Sequence, residues 1–198
     1  MPFVNHPRLI LASASPRRSA LLSQIGLTFE IFPSEIEEPL PNKDLSPEKV
    51  TQKLAKLKAR AVAERYTEGI IIGADTLVLF KKELLGKPKN REDAKSMLSR
   101  LSGKTHRVIT GVALIDVKKK TETTWSEVTK VCFRELCADE IDNYIESGEA
   151  KDKAGAYGIQ GRGAAFVKRI DGCYFNVVGL PLASFVEKLA DNTSKCYR

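Results

Sequence analysis

The chain has 198 residues, 42% of them hydrophobic and 29% charged, which is an ordinary composition for a soluble globular protein. No apolar run reaches the roughly 20 residues that a membrane-spanning helix needs, and the N-terminus lacks the features of a signal peptide. We therefore expect a cytoplasmic protein with no membrane partner. The net charge of +7 predicts an anionic partner. Because the cations are scattered along the chain, a small phosphorylated ligand fits better than nucleic acid.

Two arginines follow the first predicted strand, at the start of the first predicted helix. Leu9–Ala12 is an apolar run, Ser15 suits a helix N-cap, and Pro16 suits the first helical position. Arg17 and Arg18 then lie in the first turn, where the helix dipole disfavours cations. Free N–H groups, hydroxyls and guanidinium groups at one helix start predict a phosphate site, although two solvated surface arginines would show the same pattern.

An acidic loop bracketed by prolines follows the next predicted strand, Leu27–Phe32. Glu35, Glu37 and Glu38 crowd three carboxylates into this loop, where they repel one another. They are therefore either fully solvated or gathered around a cation.

An aspartate interrupts the most apolar stretch of the chain. Residues 69–80 are predicted to form a central strand covered on both faces, with Asp75 in its middle. A carboxylate there is costly unless it is paired or bound to a metal, so Asp75 is a candidate catalytic or metal-ligating residue. A buried aspartate that caps a neighbouring loop is the alternative. Gly73 predicts a close approach by another segment. The preceding helix, from Pro47 to about Tyr66, carries several cations, and we expect only one or two to reach a site.

The second half of the chain contains a glycine-rich segment between predicted strands and helices. Lys151–Gly163 holds four glycines but has neither Walker A nor dinucleotide-binding spacing. Because Tyr157, Ile159 and Gln160 lie between its glycines, we expect a shaped ligand loop rather than a flexible linker. The other predicted elements are a helix from Asn90 to about Leu101, a long hairpin of Thr105–Val117 and Thr123–Leu136, a helix over Asp139–Ser147, a second hairpin of Ala164–Ile170 and Cys173–Val178, a helix from Pro181 to about Leu189, and a frayed tail over 191–198.

Taken together, these residues are the components of a metal-assisted phosphoanhydride hydrolase. Cations would hold a polyphosphate, carboxylates would hold Mg²⁺, and a carboxylate or the metal would activate a water. No Ser/His/Asp or Cys/His nucleophile set can be assembled, which argues against covalent acyl chemistry. His106 is given no catalytic role. The four cysteines show no CxxC spacing and are expected to be structural thiols.

A series of motifs runs in order from about Leu9 to Leu189. They are Ser13-x-Ser15-Pro16-Arg17-Arg18, Glu35-Ile36-Glu37-Glu38, Lys58-Ala59-Arg60, Gly73-Ala74-Asp75-Thr76, Gly86-Lys87-Pro88, Leu101-Ser102-Gly103 and Asp152–Gly161. This series resembles the Maf family. The resemblance implies an α/β fold of the inosine-triphosphatase type, with a long twisted mixed β-sheet flanked by helices, in a single domain over 1–198 with two lobes and a central cleft. It also implies a homodimeric nucleoside triphosphate pyrophosphatase that uses Mg²⁺ or Mn²⁺.

The resemblance also implies roles for individual residues. Asp75 matches the catalytic acid/base position, and Glu37 matches the acidic-loop residue linked with the metal and with catalysis, so both are implied metal ligands. Lys58 and Lys87 match phosphate-contacting positions and complete the implied catalytic set. The implied substrate-binding residues are Ser13, Arg17, Arg18, Thr76, Lys153 and Gln160.

The stretch Tyr157–Gly161 resembles the branch of the family that acts on dTTP and UTP, not the branch that acts on 7-methyl-GTP. The Gln160 amide offers both a donor and an acceptor to a pyrimidine edge; CTP and modified pyrimidine nucleotides stay open as substrates. Ala150 departs from the family pattern, which usually has proline there, without loss of a functional group. The rival hypothesis is a non-enzymatic nucleotide- or nucleic-acid-binding regulator of cell division. The carboxylates disfavour it, because a polyanion binder gains nothing from acidic groups near phosphate.

Overall fold

The computed structural model describes residues 7–36 and 45–193 and confirms the predicted α/β class. Its strands are β1 (Leu9–Leu11), β2 (Glu30–Ile31), β3 (Ile70–Phe80), β4 (Glu83–Leu85), β5 (Thr105–Asp116), β6 (Thr121–Phe133) and β7 (Val167–Asp171). Its α-helices are α1 (Pro16–Gln24), α2 (Pro47–Ala63), α3 (Arg91–Leu101), α4 (Ala138–Glu146), α5 (Tyr174–Val178) and α6 (Leu182–Thr193). Within the described ranges, no helix is both long and apolar enough to cross a membrane.

All seven strands belong to one mixed sheet. Its order is β2-β1-β3-β5-β6-β7, with β4 alongside β3. β1 pairs in parallel with both β2 and β3, whereas β4 pairs antiparallel with β3, and β7 with β6. The apolar run of β3 explains its place inside the sheet, because a strand with covered faces favours β-branched and other apolar side chains.

Local capping signals account for the starts of α2 and α3. The Ser46 hydroxyl accepts a hydrogen bond from the Lys49 N–H at 3.3 Å, and the Asn90 side chain accepts one from the Asp93 N–H at 2.8 Å. Ser15 also occupies an N-cap position, but its side chain makes no capping hydrogen bond within the described chain. The start of α1 is therefore less satisfied locally than the starts of α2 and α3.

Two glycines let helix α2 lie directly against the sheet. A Cβ atom on Gly73 would come within 2.2 Å of the Ala55 carbonyl oxygen, and one on Gly111 within 2.4 Å of the Thr51 carbonyl oxygen. The close approach predicted beside Gly73 is thereby confirmed, and the approaching segment is α2. The buried residues of this interface are Ala55, Ala59 and Val62 on the helix and Ile10, Ala12, Ile71, Ala113 and Ile115 on the sheet.

The chain divides into two compact units. The first comprises Met1–Asp75, Thr110–Glu127 and Gly179–Arg198, and the second comprises Thr76–Ile109 and Val128–Val178. The packing of α2 on the sheet lies in the first unit. The second unit has an aromatic cluster in which Phe133, Tyr144, Tyr157 and Phe166 meet in edge-to-face pairs.

The predicted second hairpin is wrong. Its first arm forms a strand, β7, but this strand pairs with β6, and residues 162–166 before it form a 3₁₀ turn. Its second arm contains the short helix α5 instead of a strand. The chain does bend at Gly172, directly after β7, but such a signal does not show which strand β7 will pair with. The long β6 offers β7 that partner.

Other element boundaries also differ from the sequence expectation. The strand expected over Leu27–Phe32 is only Glu30–Ile31, and α2 ends at Ala63. Helix α6 continues through Thr193 into the stretch expected to be a frayed tail, of which residues 194–198 lie outside the described ranges.

Candidate active site

Lys58 and Asp75 form a buried ion pair in the first unit. The Lys58 Nζ atom lies 2.6 Å from the Asp75 Oδ1 atom, and the two side chains are only 12% and 9% exposed. Asp75 lies on β3, two residues beyond Gly73, and Lys58 belongs to the turn of α2 that packs on Gly73. The close approach of helix and strand therefore brings the ammonium group to the carboxylate. The pair supplies the counter-charge that a buried carboxylate requires.

The second carboxylate oxygen of Asp75 is buried and finds no hydrogen-bond partner among the described residues. An oxygen left in this state costs about 1–3 kcal/mol unless a ligand satisfies it. Carboxylate oxygens are preferred ligands of Mg²⁺ and Mn²⁺, so Asp75 fits a divalent cation as one ligand. The described residues hold no cluster of three or more metal-ligating side chains. Mg²⁺ commonly uses one or two carboxylates plus substrate phosphates, so this finding is compatible with the prediction.

Glu37, the second predicted metal ligand and catalytic residue, lies outside the described residues. Its place relative to Asp75 stays a prediction. Glu35, in the same acidic loop, is described and exposed to solvent.

The start of α1 follows β1, the parallel neighbour of the strand that carries Asp75. Leu11 lies opposite Ile72, and the Ala12 N–H donates to the Ile72 carbonyl at 2.8 Å. The segment that begins at Ser13 is therefore level with the part of β3 around Asp75. Ligands of α/β proteins commonly bind at the carboxyl ends of parallel strands, which is where the phosphate site was predicted.

Arg18 is held by two hydrogen bonds within the first unit. Its guanidinium donates to the Ser13 hydroxyl and to the Gly179 carbonyl, both at 3.0 Å. The Ser13 hydroxyl also accepts from the Ser15 N–H at 3.2 Å. These contacts show Arg18 bracing the turn before α1. Arg17 is half-buried in the first turn of the helix, and phosphate binding by Arg17, Arg18 and Ser13 stays a prediction.

Lys87 and Lys153 lie on adjoining segments of the second unit. The Gly155 N–H donates to the Gly86 carbonyl at 3.0 Å, which joins the two segments one residue from Lys87 and two from Lys153. Lys87 is exposed, whereas the Lys153 side chain is only 16% exposed and its Nζ lies 2.7 Å from an Asp152 carboxylate oxygen. The structure thus brings together the segments that carry two of the predicted phosphate-contacting lysines.

The glycine-rich segment is an anchored loop and not a flexible linker. Residues 155–159 are buried, whereas Gln160 is exposed. Gly155 has a φ of 71°, a left-handed conformation that favours glycine. Tyr157 packs edge-on against Phe133 at a centroid distance of 4.7 Å. Gln160 is therefore presented to solvent by a loop with a fixed base, and Thr76, the remaining predicted specificity residue, is half-buried on β3.

Sequence reasoning missed the polar groups that anchor this loop. Glu149 accepts a hydrogen bond from the Tyr144 hydroxyl at 3.0 Å, and burial raises the pKa of Tyr144, so this hydroxyl stays protonated. His106 Nε2 lies 2.8 Å from the Tyr157 hydroxyl, and burial lowers the pKa of His106 to about 4. A signal for Glu149 was present, because a glycine-rich turn exposes N–H groups that need acceptors and Glu149 is, with Asp152, one of two carboxylates shortly before it.

A helix start with two arginines, at the carboxyl end of a parallel strand in a mixed α/β sheet, is typical of a phosphate-binding α/β protein. More specifically, the chain belongs to the Maf-like protein family, whose family model matches residues 8–192. The resemblance drawn from the motifs is therefore confirmed.

Curated relatives match nearly the whole chain. A protein named dTTP/UTP pyrophosphatase from Ruminiclostridium cellulolyticum is 51% identical over 190 residues, covering 94% of this chain and 98% of the relative. A protein of the same name from Syntrophomonas wolfei is 51% identical over 180 residues, covering 91% and 95%. A dITP/XTP pyrophosphatase structure from Mycobacterium abscessus matches at a TM-score of 0.42 and 14% identity, covering 65% of this chain and 75% of that one. That structural likeness is too weak to carry an argument.

Proposed function

We propose that this protein is a nucleoside triphosphate pyrophosphatase that hydrolyses dTTP and UTP to the nucleoside monophosphate and pyrophosphate. Relatives that bear this activity in their name share about half of their residues with this chain over nearly its full length. The observation in the structure that carries the proposal is the buried Lys58–Asp75 pair, in which one carboxylate oxygen finds no partner among the residues that the structure describes. Such an oxygen is suited to bind a cation or to accept a proton from water.

Lys58 and Asp75 have different roles at the reacting phosphate. Lys58 holds Oδ1 and so orients the carboxylate, while Oδ2 remains available to a ligand. Attack of water on the α-phosphorus breaks its bond to the bridging oxygen and releases pyrophosphate. A bound Mg²⁺ or Mn²⁺ would neutralise phosphate charge and lower the pKa of a coordinated water. Asp75 and Glu37 would hold that ion, since both supply carboxylates.

The predicted cations would bind the triphosphate tail. Arg17, Lys87 and Lys153 carry positive charge on short segments anchored to their units, which suits contact with phosphate oxygens. Gln160 would read the base, because its amide can both donate to and accept from the edge of a pyrimidine.

The test is to incubate the protein with a panel of triphosphates and Mg²⁺ and to measure pyrophosphate. We expect dTTP and UTP to be the preferred substrates, and we expect Asp75→Asn to abolish release while the protein keeps its fold by circular dichroism. Near-normal turnover of Asp75→Asn would refute the role of Asp75. If the wild-type protein released no pyrophosphate from any of the triphosphates and bound DNA tightly, the non-enzymatic regulator would be favoured.

A second variant tests the role of Gln160 in base recognition. Gln160→Ala is expected to change the ratio of kcat/KM between UTP and GTP more than it changes the affinity for inorganic pyrophosphate. An equal loss on every triphosphate would contradict base recognition by this residue.

We further propose that the protein is a cytoplasmic homodimer. The location is supported by the proposed substrates, which are made and used in the cytoplasm. The homodimer is supported by the family resemblance, and light scattering after size exclusion would test it, since a single species of monomer mass would refute it.

A further inference from the structure

One carboxylate holds both ends of the loop that presents Gln160. The Glu149 side chain accepts hydrogen bonds from the backbone N–H groups of Arg162 at 2.9 Å and of Gly163 at 3.3 Å. It also accepts from the Tyr144 hydroxyl at 3.0 Å. The Tyr144 oxygen in turn accepts from the Gly158 N–H, also at 3.0 Å. We call Gly158–Gly163 the recognition loop; Gln160 lies near its middle.

The glycines of the recognition loop are shaped to this carboxylate. A Cβ atom on Gly161 would lie 2.4 Å from a Glu149 carboxylate oxygen, closer than any real contact of that kind. A Cβ atom on Gly163 would lie 2.6 Å from the Gly158 carbonyl oxygen, so the two ends of the loop also lie directly against each other. The backbone thus lies closely against Glu149 at Gly161, where a side chain would displace the carboxylate, whereas a side chain at Gly163 would push the two ends of the loop apart.

Glu149 also contacts one of the predicted phosphate-binding residues. Its backbone carbonyl accepts a hydrogen bond from the Lys153 Nζ atom at 2.7 Å. The aliphatic part of Lys153 lies over Gly158, where a Cβ atom would come within 2.7 Å of Lys153 Cε. Glu149 therefore contacts the recognition loop through its side chain, and it contacts Lys153 through its own backbone carbonyl.

We propose that Glu149 is the positioning residue that sets base selectivity. By anchoring the recognition loop, it holds the Gln160 amide in the orientation that a pyrimidine edge requires. This proposal rests on the proposed function. Glu149 does not touch the substrate; it acts through Gln160. Loss of its carboxylate frees the loop, so that Gln160 no longer discriminates between bases, while the Lys58–Asp75 pair is unchanged.

The test compares Glu149→Gln and Glu149→Ala with the wild-type protein on UTP and GTP. Glu149→Ala is expected to lower the ratio of kcat/KM for UTP over GTP by about tenfold or more, mainly through a higher KM for UTP. Glu149→Gln keeps the size of the side chain and is expected to lose less. Tyr144→Phe, which removes the hydroxyl that links Glu149 to Gly158, should shift the ratio in the same direction. Glu146→Gln is the matched control, because this nearby carboxylate is 60% exposed and pairs with Arg91.

A double-mutant cycle separates positioning from a merely structural role. In a Gln160→Ala background, Glu149→Ala is expected to cause no further loss of base selectivity. Equal losses of kcat/KM on UTP and GTP, which leave their ratio unchanged, would overturn the proposal. So would effects of Glu149→Ala and Gln160→Ala on this ratio that multiply in the double variant. If the wild-type protein released no pyrophosphate, the proposed function would fall, and the ratio of UTP to GTP affinity measured by calorimetry in EDTA would still decide the role of Glu149.

Discussion

Lys58 Nζ lies 2.6 Å from Asp75 Oδ1, while Asp75 Oδ2 has no hydrogen-bond partner in the part of the chain that the structure describes. The lysine therefore stabilises the charge of the carboxylate through only one of the two Asp75 oxygens. A structural ion pair would be expected to satisfy both oxygens. This asymmetry is the physical reason for placing chemistry at Asp75.

Removing the lysine should leave a buried, uncompensated carboxylate. Lys58→Met is expected to lower the free energy of unfolding by about 3 kcal/mol in urea denaturation at neutral pH. Adding Asp75→Asn to that variant should recover part of the loss, because no charge is then buried. Lys53→Met, an exposed position on the same helix, is the control and should change stability by no more than about 0.5 kcal/mol. Equal effects of the two lysine variants would contradict a stabilising role for the pair.

The contact of α2 with β3 should not tolerate a methyl group. Gly73→Ala places a Cβ atom 2.2 Å from the Ala55 carbonyl oxygen, so the helix must move. We expect a loss of about 1–3 kcal/mol or more in the free energy of unfolding, together with reduced pyrophosphatase activity, because Lys58 moves with the helix. Gly86→Ala is the control for stability, since no heavy atom of the described residues beyond its chain neighbours lies within 4 Å of its Cβ position. A melting temperature of Gly73→Ala equal to that of the wild type would refute the close approach.

Substitutions of Arg17 and Arg18, at the start of α1, should have different effects. Arg18→Met removes hydrogen bonds to Ser13 and Gly179 and is expected to lower the free energy of unfolding by about 1.5–3 kcal/mol. Arg17→Met is expected mainly to raise the KM for UTP, as predicted for a phosphate contact. Thermal melts and steady-state kinetics on both variants provide the comparison. The assignment fails if Arg17 proves to be the more stabilising residue and Arg18 the one that controls KM.

His106 should make stability depend on pH. Burial lowers its pKa from 6.5 to about 4 in the folded state, so on acidification the unfolded chain binds the proton first. Stability is therefore full above the unfolded pKa and declines as the pH falls toward the folded pKa. Between about pH 7 and about pH 5 this single group should remove about 2 kcal/mol from the free energy of unfolding.

His106→Gln should flatten that pH dependence even if it lowers stability overall. Urea denaturation at several pH values gives the slope for each protein. Hydrogen bonds from Arg60 and Lys56 lower the pKa of the Glu122 carboxylate to about 2. Glu122 therefore contributes to the pH dependence of stability only at lower pH. A variant with the wild-type slope would mean that His106 is not the titrating group.

Elements with strong local signals could be predicted from the sequence. Ser46 and Asn90 cap the helices predicted beside them, and the apolar run of β3 forms the predicted interior strand, since capping and burial are decided largely by neighbours along the chain. The predicted second hairpin failed because the pairing of β7 with β6 depends on a partner about forty residues away. Turn residues show where a chain reverses direction but not which strand the next strand will pair with.

The sequence by itself determined the residue types of the candidate site and the family. It identified Asp75 as a costly carboxylate that needs a partner, Gly73 as a point of close approach, and the motifs that the family model confirms. Only the tertiary structure decided that Lys58 is the partner, that one oxygen of Asp75 finds no partner within the described ranges, and that Glu149 anchors the recognition loop. Ion pairs and hydrogen bonds of this kind depend on distances of a few ångströms between segments, and those distances are set by packing rather than by the local pattern of the chain.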